Sequence, residues 1–202
     1  MSDGRKIKSE FENPIDNLFI KISEVIAGPL VKIGITPNMI TTLSFIFGLI
    51  AVYLLYKDHY LLAGCSFVLG YFFDCMDGYV ARKYNMISKF GDLYDHVTDV
   101  ITNVILLVVF MCKKINIKLK IFLFILIFVF LFFSLTHLGC QEKYYEIIQK
   151  KNSTDGILYN FVKLCKKKEM IRTTRFFGTG TYTILIFIII VFHKKINNFF
   201  LS

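Results

Sequence analysis

The stretch Asp74–Asp99 reads DCMDGYVARKYNMISKFGDLYDHVTD and places five aspartates in a chain that is otherwise strongly apolar. In its first half, polar and small residues recur every three or four positions: Asp74, Asp77, Gly78, Ala81 and Arg82. Its second half repeats the pattern with Gly91, Asp95 and Asp99. Such spacing puts each set on one face of a helix. Because residues 83–90 are enough to turn the chain, the stretch predicts two neighbouring helices whose carboxylates converge.

The four converging carboxylates belong to Asp74, Asp77, Asp95 and Asp99. Carboxylates at close range repel one another in a medium of low dielectric constant, and a bound cation relieves that repulsion. Oxygen ligands suit hard cations such as Mg²⁺, Mn²⁺ and Ca²⁺. A pair of such ions commonly holds a phosphate or diphosphate group. We therefore expect phosphoryl-transfer chemistry with two divalent cations, Mg²⁺ or Mn²⁺.

The full pattern, DxxDGxxARx8GxxxDxxxD, resembles the signature of the CDP-alcohol phosphatidyltransferases at every fixed position and in every spacing. The resemblance implies an integral membrane enzyme that transfers a substituted phosphoryl group from a CDP-linked donor to an alcohol and releases CMP. It also implies a homodimer. The substrate pair stays open between CDP-diacylglycerol with a small polar alcohol and a small CDP-alcohol with diacylglycerol.

The resemblance further implies a set of residues that contact the nucleotide end of the donor: Gly78, Ala81, Arg82, Gly91 and Asn38. The small residues allow a second helix or a flat cytosine to approach closely, and for Ala81 helix packing explains the residue equally well. The guanidinium of Arg82 suits either a phosphate or an aspartate. Asn38 follows the helix-start pair Thr36-Pro37, so capping alone also explains that segment.

Two arginines, Arg172 and Arg175, precede the last apolar stretch. They suit the phosphate of an acceptor such as glycerol phosphate or inositol phosphate. Anchoring of the last span at the membrane surface explains them too.

For the reaction, we expect direct transfer with no covalent intermediate on the enzyme. Asp74, Asp77 and Asp95 would hold the cations on the donor diphosphate. Asp99 lies two helical turns beyond Gly91, at the depth where the hydroxyl of a membrane-level acceptor arrives, and would receive its proton. The alternative is that Asp99 is a fourth metal ligand.

Composition agrees with a membrane protein, since 55% of the 202 residues are hydrophobic and the mean hydropathy is +0.56. In so apolar a chain, the net charge of +9 fits anionic lipid headgroups better than nucleic acid, and no nucleic-acid partner is expected. The five cysteines lack CxxC spacing, which argues against a disulfide framework or a zinc site. We interpret them as small packing residues.

The chain divides into an N-terminal part, residues 1–36, whose amphipathic helix is predicted to lie at the membrane interface, and a transmembrane domain, residues 37–202. Apolar stretches near the twenty residues needed to cross a bilayer occupy 38–56, 61–82, 92–112, 117–140 and 175–193. The predicted fold class is an all-α polytopic helix bundle. Enzymes of the family it resembles usually have six spans, so a sixth span near the C-terminal end stays open.

Basic residues predict the orientation of the spans. The N-terminal part, the turn at 82–91 and the segment 141–175 hold seventeen Lys and Arg, against seven in the alternate segments. The first set is therefore expected to face the cytosol, together with the active site. In a eukaryote this multi-pass protein would lie in the endoplasmic reticulum.

Two other functions would use similar residues. A membrane prenyltransferase binds a diphosphate through paired acidic motifs, but these lie farther apart and lack Gly, Ala and Arg at these offsets. A cation transporter or channel places buried aspartates in its pathway, yet it gives no reason for the DGxxAR spacing. Release of CMP, release of pyrophosphate and ion flux distinguish the three functions.

Overall fold

The computed structural model describes residues 3–149, 159–165 and 169–199. The helices are α1 (Pro14–Lys32), α2 (Pro37–Tyr56), α3 (Tyr60–Lys83), α4 (Lys89–Met111), α5 (Ile117–Gln149), α6 (Tyr159–Leu164), α7 (Met170–Thr174) and α8 (Thr179–Phe199). A 3₁₀ turn, Arg175–Phe177, joins α7 to α8. Within the described ranges there is no strand, and the predicted all-α class is confirmed.

Five segments are long and apolar enough to cross a membrane: Pro37–Tyr56, Tyr60–Lys83, Lys89–Met111, Ile117–Tyr144 and Met170–Asn198. They confirm the five predicted spans, although α8 continues to Phe199, beyond the predicted end of the last span at residue 193. The described residues contain no sixth such segment, since α6 has only six residues. Residues 150–158 and 166–168, where part of the sixth span was sought, lie outside the described residues.

Capping residues begin the first helices where the sequence predicts them. Asn13 caps α1 and Thr36 caps α2, in each case through a side-chain oxygen that accepts a backbone N–H, and a proline follows at the first helical position. Ser88 caps α4 in the same way. Because α4 begins at Lys89, the turn after α3 is shorter than the eight residues that the sequence suggests.

The spans pack closely where small residues allow it. α2 lies along α3 and α4, while α8 packs against α3 and α5. A Cβ atom added to Gly48 of α2 would lie 2.5 Å from Cγ2 of Thr102 in α4. At Gly70 of α3 the backbone approaches α2 so closely that Ser44 Oγ donates a hydrogen bond to its carbonyl at 2.9 Å. Close approach at small residues is the usual way in which helices associate in a bilayer.

The amphipathic helix predicted near the N-terminus is α1, and it packs on α3 and α8. Its buried face is small and partly polar: Asp16, Ile20, Ser23 and Ala27. The apolar stripe noted in the sequence points outward, with Leu18, Ile22, Val25, Ile26 and Ile33 exposed. An outward apolar stripe fits the predicted position at the membrane interface.

The interpretation of every cysteine as a packing residue is wrong for two of them. Cys140 in α5 and Cys165 after α6 form a disulfide. The two residues are 25 positions apart, and the fold brings the chain back to α5, which no short spacing motif can reveal. Cys65, Cys75 and Cys112 are free.

Candidate metal and nucleotide site

The end of α3 and the start of α4 bring three aspartates together. Asp74, Asp95 and Asp99 are half-buried, and each offers a carboxylate oxygen within 4.8 Å of the other two. One further oxygen, Oδ1 of Asp95, is fully buried and has no hydrogen-bond partner in the described part of the chain. A buried carboxylate oxygen without a donor is costly. A divalent cation bound among the three carboxylates would satisfy it, so these residues fit the predicted metal.

The fourth predicted ligand, Asp77, is buried and is held differently. Thr41 Oγ1 of α2 donates a hydrogen bond to Asp77 Oδ2 at 2.6 Å. The contact fixes the orientation of the Asp77 carboxylate from a third helix. The sequence analysis did not single out Thr41, although it lies one helical turn after Asn38 and therefore shares that face of α2.

The guanidinium of Arg82 lies over Gly78, which precedes Arg82 by one turn of α3. A Cβ atom added to Gly78 would be 3.0 Å from Nη1 and 3.3 Å from Nη2 of Arg82. Nε of Arg82 donates a hydrogen bond to the backbone carbonyl of Gly4 at 2.9 Å. Gly78 therefore makes room for the guanidinium of Arg82. Ala81 is half-buried on the same helix.

Gly91 brings the starts of α4 and α2 into contact. A Cβ atom at Gly91 would lie 2.8 Å from Oδ1 of Asn38, so these two residues lie directly against each other. Thr42 of α2 and Tyr94 of α4 add a hydrogen bond between their hydroxyls at 3.0 Å. The nucleotide roles of Gly91 and Asn38 remain predictions.

Arg172 and Arg175 both contact the segment that precedes α1. The guanidinium of Arg172 lies 5.7 Å from the ring centroid of Phe11, and Nη1 of Arg175 donates to the carbonyl of Glu10.

A cavity of about 60 Å³ lies between α2, α3, α4 and α8. Hydroxyl and amide groups line much of it: Ser44, Thr98, Asn103, Thr179, Tyr182 and Thr183. Of the four aspartates, only Asp99 reaches this cavity. Asp99 therefore belongs both to the carboxylate cluster and to the lining of this polar cavity.

Two further carboxylates, Glu12 and Asp16, lie buried at the start of α1. Burial raises the pKa of Glu12 to about 7; Asp16 adds to this, and the charges of Arg82, Arg5 and Lys6 oppose it. Burial also raises the pKa of Asp16 to about 6, against a hydrogen bond that Tyr71 donates to Oδ1 at 2.6 Å. Neither carboxylate belongs to a sequence motif, so no local pattern marks the two as buried.

Two histidines, His137 and His193, are buried in the bundle. His137 Nδ1 lies 3.1 Å from Thr174 Oγ1, and Nε2 lies 3.1 Å from Nε2 of Gln141. Hydrogen-bond partners at both ring nitrogens offset the cost of burying an imidazole.

Comparison with known proteins identifies the family. The family model described as CDP-alcohol phosphatidyltransferase matches residues 34–201 of the chain. The chain belongs to the CDP-alcohol phosphatidyltransferase family. With five segments long and apolar enough to cross a membrane, this member of the family is a multi-pass membrane protein.

Curated relatives match a smaller part of the chain than the family model does. The chain is 32% identical over 102 residues to an archaetidylinositol phosphate synthase of Pyrococcus horikoshii. The aligned residues make up 50% of this chain and 50% of that relative. It is 32% identical over 83 residues to a CDP-diacylglycerol–glycerol-3-phosphate 3-phosphatidyltransferase of Rickettsia typhi, 40% of this chain and 46% of the relative. The chain thus spans about half the length of the curated relatives it matches.

The family match includes the whole aspartate site and all helices from α2 onward. It does not include α1 or the segment before it. Glu12, Asp16 and the residues that contact Arg82, Arg172 and Arg175 from the N-terminal side therefore lie outside the matched part.

Proposed function

We propose that this CDP-alcohol phosphatidyltransferase transfers the phosphoryl-linked lipid of a CDP-linked lipid donor to the hydroxyl of a phosphate-bearing alcohol. CMP is the second product. The observation that carries the proposal is the cluster of Asp74, Asp95 and Asp99, with its buried and unpartnered Asp95 Oδ1. The names of two relatives support the substrate pair, since one ends in inositol phosphate synthase and the other names CDP-diacylglycerol and glycerol 3-phosphate.

The aspartates hold the reacting end of the donor. Asp74, Asp77 and Asp95 are the proposed ligands of two divalent cations, Mg²⁺ or Mn²⁺, and Asp99 lies in one cluster with Asp74 and Asp95. When bound, such cations would neutralise the donor diphosphate and the charge that develops on the CMP leaving group. Thr41 keeps the Asp77 carboxylate in one orientation through its 2.6 Å hydrogen bond.

Asp99 is the proposed general base. Its carboxylate lines the polar cavity, so an acceptor hydroxyl that reaches this space lies beside it. Asp99 takes the proton from the hydroxyl as the oxygen forms a bond to the donor phosphorus that carries the lipid. The bond from that phosphorus to the oxygen of CMP breaks in the same transfer, and CMP leaves with the electron pair. No covalent intermediate on the enzyme is needed.

Other residues bind the two substrates at a distance from the reacting bond. Gly78, Ala81, Gly91 and Asn38 are proposed to face the nucleotide, and Arg82 its phosphates. Arg172 and Arg175 are proposed to bind the phosphate of the acceptor. We place this face of the bundle toward the cytosol, and we propose a homodimer as the working form.

The test is a CMP-release assay with purified protein in bilayers, supplied with a panel of donors and acceptors. CDP-diacylglycerol or a CDP-linked ether lipid should release CMP when glycerol 3-phosphate or inositol phosphate is added. Asp95→Asn is the matched inactive control. Turnover of CDP-choline or CDP-ethanolamine with diacylglycerol would overturn the substrate pair, and pyrophosphate release from a prenyl diphosphate would overturn the reaction class.

A further inference from the structure

The segment before α1, residues 4–12, is packed against the end of the bundle that carries the aspartates; we call it the N-terminal strap. Ile7 and Phe11 of the strap are buried in a cluster with Cys140, Cys165 and Ile171. Lys6 pairs with Glu142 of α5 at 2.5 Å. Arg5 donates to Asn17 and Glu24 of α1 at 2.8 and 2.9 Å. The strap thus has fixed contacts along its length, although it lies outside the family match.

One end of the strap holds Arg82. The carbonyl of Gly4 accepts the Nε–H of Arg82 at 2.9 Å. Gly4 has a φ of +77°, and a Cβ atom there would lie 2.5 Å from the ring of Tyr79. Only glycine suits such a backbone and so close a ring. The local conformation of the strap therefore depends on Gly4, and the Gly4 carbonyl keeps the guanidinium of Arg82 over Gly78.

The other end of the strap holds the two acceptor arginines. The Phe11 ring lies under the guanidinium of Arg172 at 5.7 Å, which is within the range of a cation–π interaction. The carbonyl of Glu10 accepts a hydrogen bond from Arg175 Nη1. All three arginines that we propose to bind substrate phosphates therefore contact this one segment.

Free arginine side chains lose conformational entropy when they bind phosphate, and a side chain that is already held loses less. We propose that the N-terminal strap is a positioning element, which orients Arg82 for the donor diphosphate and Arg172 and Arg175 for the acceptor phosphate. The inference rests on the proposed function, because it uses the phosphate-binding roles of these arginines. According to this inference, the strap contributes to substrate affinity although it lies outside the helices that carry the aspartates.

The first test replaces Gly4. Gly4→Ala should push the strap off Tyr79 and release Arg82, raising the KM for the CDP-linked donor about fivefold with kcat within about twofold. Gly34→Ala is the matched control, because Gly34 also has a positive φ, +88°, but has no neighbour within 4 Å of an added Cβ atom. The control carries the same backbone strain without touching the strap.

The second test replaces Phe11. Phe11→Leu keeps an apolar side chain in the buried cluster but removes the ring under Arg172, so the KM for the acceptor should rise about threefold. Phe11→Tyr keeps the ring and should restore the original KM. Ile7→Val, which trims a side chain of the same cluster, controls for packing.

Affinity for CDP separates failure of this inference from failure of the proposed function. Calorimetric titration of CDP with Mn²⁺ should show weaker binding to Gly4→Ala than to Gly34→Ala, whether or not the wild type turns over any donor. Equal CDP affinities in these two variants would overturn the positioning role, even if both melt at a lower temperature than the wild type. A wild type that binds CDP but releases no CMP would instead overturn the reaction.

Discussion

At the scale of single residues, Asp99 differs from the other signature aspartates because it also lines the polar cavity. If it is the base, Asp99→Asn should lower kcat by about 10² to 10⁴ while Mn²⁺ and CDP still bind. Asp77→Asn should weaken that binding as well. Calorimetric titration of Mn²⁺ and CDP into both variants measures the difference. An Asp99→Asn protein that loses metal binding as severely as Asp77→Asn would make Asp99 a ligand.

Glu12 carries a prediction about pH. Burial raises its pKa to about 7, with Asp16 adding to the effect and Arg82, Arg5 and Lys6 opposing it. The folded protein therefore keeps a proton on Glu12 that the unfolded chain loses near the ordinary pKa of a glutamate, 4.5. Stability should fall as the pH rises from about 4.5 to about 7, by a free energy on the order of 3 kcal/mol.

Glu12→Gln removes this titration and is the variant to measure. Its melting temperature in detergent should match that of the wild type at pH 5 and exceed it by several degrees at pH 8. Glu10→Gln, on an exposed side chain two residues earlier, is the control and should follow the wild type. A difference between Glu12→Gln and the wild type that is the same at both pH values would contradict the assignment.

At the scale of helices, the contact of α2 with α4 depends on Gly48. A Cβ atom at this position would lie 2.5 Å from Cγ2 of Thr102, so Gly48→Ala should force the helices apart and destabilise the fold by about 1 to 3 kcal/mol. Thr102→Ala in the same chain removes the clashing group and should recover most of the loss. Thermal unfolding of the single and double variants tests this, and an unchanged melting temperature in Gly48→Ala would contradict the close contact.

The helices themselves were largely predictable from sequence, because each span contains an apolar run of the required length, and the first also has the start signal Thr36-Pro37. The aspartate site was predictable because its spacing matches the period of a helix. The strap contacts, the Thr41 bond to Asp77 and the disulfide of Cys140 with Cys165 were not. These pairs join residues that are far apart in the chain, and local patterns carry no information about which distant segments meet.

At the scale of the whole molecule, the strap, the end of α3 and the end of α5 lie at one end of the bundle, as the contacts of Arg82 and Glu142 with the strap require. This agrees with the predicted orientation, which puts the N-terminal part and the turn after α3 on the same side. The turn between α4 and α5 should then face the opposite side of the membrane.

Thiol labelling tests that orientation. Cys112 is free and exposed at the end of α4, and Met86 is exposed in the turn after α3. With Cys65 and Cys75 replaced by serine, a membrane-impermeant maleimide should reach Met86→Cys only from the cytosol and Cys112 only from the other side. Labelling of both sites from one side would contradict the arrangement of spans.

The central claim is that the aspartate cluster binds the divalent cations on which CMP release depends. The direct measurement is CMP release from CDP-diacylglycerol and glycerol 3-phosphate by protein stripped of metal with EDTA. Release should stop in the stripped wild type and return when Mg²⁺ or Mn²⁺ is added in excess, whereas Asp95→Asn should not recover. Undiminished CMP release in excess EDTA, from protein shown to be metal-free, would contradict the claim.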